Sequence, residues 1–165
     1  MKYLSLLSLI FVSLSAQAEV CPLGPKEDHL ILARVMRNFS KYTRDADSLA
    51  VKSKQWPEDI TDTELKEASE KIPTAIACAD AALDNPQSEM LPRKLDELQG
   101  EMREKYLAHY LEYLKKFRAV LVQYKQVLDD LLALPKAQRQ FEGLYLHYKF
   151  VDDMTNEAHS HLGGG

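Results

Sequence analysis

The chain has 165 residues, with 21 basic against 25 acidic side chains, a net charge of −4 and 45% hydrophobic residues. That acidic balance argues against nucleic acid or anionic lipid as the main partner, since both are polyanions. The length suits one domain with a sizeable core.

Residues 1–18 read as a secretory signal. Lys2 gives a short positive region, Leu4 to Leu14 an apolar run, and Ala16-Gln17-Ala18 a small-residue cleavage site. The run is too short for a stable membrane anchor, and no later stretch resembles a transmembrane segment. Glu19 puts a charge where a lipoprotein signal at Cys21 would need small residues. Cleavage after Ala18 leaves a single domain, 19–165, with a net charge of about −5, exported to the periplasm or beyond. Two cysteines remain, Cys21 and Cys78. In an oxidising compartment such a pair is expected to be bridged; the alternative is a free, buried Cys78 in an alanine-rich helix.

Every long segment then carries a helical period, and none alternates as a strand would. The first helix is expected from about Lys26 to Lys54, behind Pro25. Its stripe is Leu32, Val35 or Met36, Phe39, Tyr42 or Thr43, Ala46 and Leu49, and Trp56-Pro57 breaks it. Thr61 and Glu64 form a capping box that opens the second helix. That helix buries Leu65, Ala68, Ile72, Ile76, Ala79 and Leu83, with Pro73 expected to kink or interrupt it and Asn85-Pro86 to end it. In the third, Tyr110, Leu114, Phe117, Leu121, Tyr124, Leu128 and Leu131 alternate spacings of four and three, a heptad seam. Pro92 and Gly100 both interrupt its approach; continuous from Pro92 to Leu134 it would span about 65 Å. Pro135 stops it. The fourth helix is expected from about Lys136 to Leu162, with Phe141, Leu144, Tyr148, Val151, Ala158 and Leu162 inward. Short connections make neighbours antiparallel. The fold is therefore read as all-α, an up-down-up-down left-handed four-helix bundle with an extended hairpin between helices two and three.

Constellations for catalysis are missing from the sequence. It has no Gly-rich phosphate loop, no G-x-S-x-G elbow and no H-E-x-x-H. The C-x-x-C-H that attaches haem covalently is absent too. The Glu-x-x-His of di-iron bundles fails, because Glu142 is followed at that spacing by Tyr145. The expected role is not enzymatic. The tyrosines from Tyr106 to Tyr148 read as core and boundary residues, and Glu64 to Lys71 as a solvated face. His159 and His161, two residues apart, do not share a helix face. Taken singly, Met36 reads as core packing and His159 as a solvated terminal residue.

Read as one unit, the second half carries more. Phe117-Arg118, Leu128-Asp129-Asp130 and Asn156-Glu157-Ala158-His159 keep a spacing that resembles the third and fourth helices of the cytochrome b562 family. These are periplasmic four-helix bundles that hold haem b without a covalent link. The resemblance covers roughly 45 residues well and the first helix loosely. It implies axial ligation of one haem per chain by Met36 and His159, which stabilises ferrous iron and suits one-electron transfer. A periplasmic redox partner protein would follow, with the chain a monomer or dimer. His161 for His159, and His29 for Met36, remain open as rival ligands.

The chain departs from the family in three places. Thr155 stands where the family has an arginine that meets a haem propionate, a role left to Arg34 or Arg37. The segment between Met36 and Phe117 is longer, around Trp56 to Ile60 and Asp84 to Gly100. About ten extra residues precede Met36. In an up-down-up-down bundle the lead-in and the second hairpin lie at the haem end, so both would shelter the pocket or fill it. The alternative reading is a haem-free periplasmic bundle that binds a protein partner or ligand.

Overall fold

A helix with one apolar stripe is stable only when that stripe is covered, and this chain covers each with the next. The computed structural model describes Cys21, residues 31–84 and residues 94–162; for 31–40, 94, 151, 155 and 157–162 it describes the backbone alone. The elements are α1 (Ile31–Gln55), α2 (Asp62–Asp84), the single turn α3 (Lys94–Glu97), α4 (Gly100–Ala133) and α5 (Glu142–Leu162). α1 packs on α2, α2 on α4, α4 on α5 and α5 on α1, a closed ring of four antiparallel neighbours. The bundle is up-down-up-down, and the described residues contain no strand.

Polar pairs fix the sliding position of each helix. Lys52 is bonded to Glu64 at 2.7 Å, and Lys71 pairs with Asp45, so the α1–α2 pairs lie seven residues apart on both helices. Between α2 and α4, Ser69 donates to Asp129 at 2.6 Å and Arg118 pairs with Asp80, eleven residues apart on both. Within this frame Leu49, Ile60, Leu65, Ile72, Leu121, Tyr124, Leu128 and Leu144 form a buried centre. The Tyr124 hydroxyl, taken into that core, donates to the Ala46 carbonyl of α1 at 2.5 Å. Burial, with the Asp47 charge adding to it, pushes the phenol well above its ordinary pKa, so it remains a donor.

The expected capping box is present. Glu64 N–H donates to Thr61 Oγ1 at 3.2 Å, and Glu64 Oε2 accepts from Thr61 N–H at 2.8 Å. Lys52 and then Thr61 hold the Glu64 carboxyl down to a pKa of about 2. Other expectations shift. α2 runs unbroken through Pro73, because packing on both neighbours outweighs one missing backbone bond. The third helix does not run continuously from Pro92: α4 starts at Gly100, whose φ of +55° suits glycine. α3 precedes it and buries Leu95. The fourth helix starts at Glu142 and not at Lys136. After Pro135 the chain makes one 3-10 turn, Lys136–Gln138, and Arg139 folds back to bond the Leu134 carbonyl at 3.0 Å and to pair with Asp62. Phe117, Phe141 and Tyr148 are half-buried at the core's edge, and Val120 and Met154 are buried where the stripes did not place them.

In the α2–α4 register Asp84 lies level with Leu114, so about fourteen residues of α4 overhang the end of α2. This is the extended side of the hairpin. Among the described residues no helix is long and apolar enough to cross a membrane.

Candidate functional site

Arg34, Met36 and Arg37 lie in α1, and His159 and His161 in α5; their side chains, and all of His29, are outside the described residues. The helices that carry the expected ligands are packed on each other and antiparallel. Among the described residues, no group of three or more His, Cys, Asp or Glu side chains is arranged to hold a metal ion. The cysteines are joined as expected. Cys21 bonds Cys78 with Cα atoms 4.6 Å apart, and both lie in the core, 5% and 0% exposed. The α1–α2 register puts Cys78 level with Asn38, so the disulfide holds Cys21 close to the level of Met36. Ala75, Ala79 and Ala82, its neighbours along α2, are buried too.

An open cleft of about 740 Å³ runs between α1 and α5, away from that end. Arg44, Asp47, Ser48, Val51 and Lys52 line it from α1 at spacings of three and four, which puts them on one face of the helix. Trp56 closes one end and Tyr148 forms the opposite wall. Trp56, the chain's single tryptophan, is 54% exposed, and Val51 is 40% exposed. Beside Trp56, the Lys54 ammonium lies 4.4 Å from the Tyr145 ring centroid and donates to its hydroxyl at 3.2 Å, tying α1 to the start of α5.

The cleft's carboxyl is unusual. Burial raises Asp47 to a pKa of about 6; a hydrogen bond from Thr43 opposes the shift, and the nearby Asp152 of α5 adds to it. His147 stacks on Tyr124 with ring centroids 5.9 Å apart, and burial lowers its pKa. Lys52 is held by Glu64 through both carboxylate oxygens, at 2.7 and 3.0 Å. Arg44 is exposed and has no ion-pair partner among the described residues. Chemically the cleft offers two aromatic rings, an aliphatic floor, one cation without an ion-pair partner among the described residues and one carboxyl that is easily protonated.

Sequence reasoning missed this site. Its residues sit beside the α1 stripe and not in it, and the periodicity of the last helix puts Tyr148 inward. The one available signal was Asp47 next to Ala46, an acid at the boundary of an apolar face. A scan against protein-family models and searches of curated proteins and of solved structures each found no match for the chain.

Proposed function

We propose that this chain is a haem-free helical-bundle binding protein of the periplasm, without catalytic activity, that takes its ligand or partner in the α1–α5 cleft. The observation that carries this reading is the cleft itself. It is an open groove in which Trp56, Tyr148 and Val51 lie beside Arg44, Asp47, Ser48 and Lys52, so apolar surface and polar groups able to orient a ligand meet in one place. The disulfide supports the haem-free part, because it brings Cys21 into the core close to the level of Met36.

A fragment screen followed by amide chemical shifts tests the assignment. Binders should perturb residues 44–56 and 145–152 together. Perturbations confined to other faces would overturn it.

A second reading keeps the haem. It has Met36 and His159 as axial ligands, Arg34 and Arg37 near the propionates, and electron transfer to a periplasmic redox protein. Its support is the register of α1 against α5. Lys54 meets Tyr145 and Asp47 lies near Asp152, seven residues further along each helix. Continued, that register brings His159 level with Ser40, about one turn from Met36. A haemin titration of the mature protein separates the readings. Sharp low-spin bands saturating at one haem per chain, lost in Met36→Ala and His159→Ala, would establish a b-type cytochrome. A featureless, non-saturating titration is the outcome expected of the haem-free protein.

A further inference from the structure

We propose that the α1–α5 cleft takes a monomeric amphipathic organic anion, with its apolar body between Val51, Trp56 and Tyr148 and its acidic group on Arg44. This rests on the cleft being the binding site and names the class of ligand it selects. The apolar part follows from three large side chains that face an open recess, two of them more than a third exposed. Leaving a tryptophan and a valine in water beside a half-buried tyrosine forgoes burial that a flat or chain-like apolar body would recover.

The sign of the charge follows from which groups are already engaged. Lys52 is neutralised by Glu64 through two bonds, and Lys54 lies on Tyr145 outside the lining. Arg44 is the lining cation that has no ion-pair partner among the described residues. Its planar fork suits a carboxylate, sulfonate or phosphate monoester. The competing negative group is Asp47, which faces Thr43 and Arg44 on its own helix, Asp152 and Tyr148 on α5, and Tyr124 on α4. Its burial and the Asp152 charge favour the neutral carboxyl, so at mildly acidic pH it donates a hydrogen bond to an anion and does not repel it. A cationic ligand would instead meet the Arg44 charge, which Asp47 offsets only once the pH rises above about 6. A bilayer surface is disfavoured by the chain's net charge of −4.

The test uses two dyes that differ by one sulfonate, 8-anilinonaphthalene-1-sulfonate and neutral N-phenyl-1-naphthylamine. Each is titrated into the mature protein at pH 5 and followed by quenching of Trp56 emission. The sulfonate should saturate at one per chain and bind about tenfold tighter than the neutral dye, the scale of one charge-assisted contact. Arg44→Gln should abolish that preference and leave the neutral dye's affinity unchanged. Equal affinity for the two dyes in the native protein overturns the anion while leaving the cleft as a binding site. No quenching by either dye removes the cleft as well. Quenching by phosphatidylglycerol vesicles, without saturable binding of the monomeric sulfonate, assigns the surface to membranes and overturns the proposal.

Discussion

Asp47 occupies a position where a charge is costly, and that cost can be measured. Its carboxyl titrates near 6 in the fold against an ordinary value of 3.8, raised first by burial. Well below pH 3.8 the acid is protonated in both the folded and unfolded states, and its neutral form is compatible with the fold. As the pH rises through 6 the folded state must carry the charge, and that stability is lost. Asp47→Asn should therefore leave stability unchanged at pH 3 and raise it by about 1–2 kcal/mol at pH 8, compared by urea unfolding at the two pH values. Tyr124→Phe should cost about 1 kcal/mol at either pH, since it removes the hydroxyl's bond to the Ala46 carbonyl. Neither effect was legible in the sequence. The α1 pattern identifies Ala46 as inward and Asp47 as its neighbour, but what Asp47 faces is decided by α5, a hundred residues away.

At the level of elements, the sequence was most legible where structure is local. The Thr61–Glu64 box depends on residues three apart, and it formed as written. Thr61→Ala should cost about 1 kcal/mol and fray the start of α2, seen as faster amide exchange there. Glu64 is held at a pKa of about 2 by Lys52 and Thr61. The stability it adds is present above about pH 4.5 and lost as the pH falls through 2. Its side chain is 38% exposed, so solvent screening keeps the contribution small. Legibility failed where distant partners intervene. The late start of α5 follows from Arg139 reaching back to Leu134 and across to Asp62, a residue 77 positions earlier. Pro73 is carried inside α2 because Lys71–Asp45 and Ser69–Asp129 clamp the preceding turn to both neighbours.

For the whole molecule, the stripes and short connections were enough to give the bundle and its order, because burying four apolar faces in sequence admits few arrangements. The candidate site was much less legible, since a cleft is set by what two helices leave uncovered. The disulfide was anticipated from compartment chemistry, but its level in the core was not. It closes a span of 57 residues, and reducing it should lower stability by about 4 kcal/mol in the chain-entropy model, read from denaturant midpoints with and without reductant. The same bond also sets how the molecule carries load. A pull applied to the two ends of the chain enters at Cys21 and crosses directly to Cys78. All of α1 and nearly three-quarters of α2 then lie off the line of force, held as a slack covalent loop. Stretched in an optical trap, the oxidised protein should release about 200 Å less contour length than the reduced one, the reach of those 57 residues.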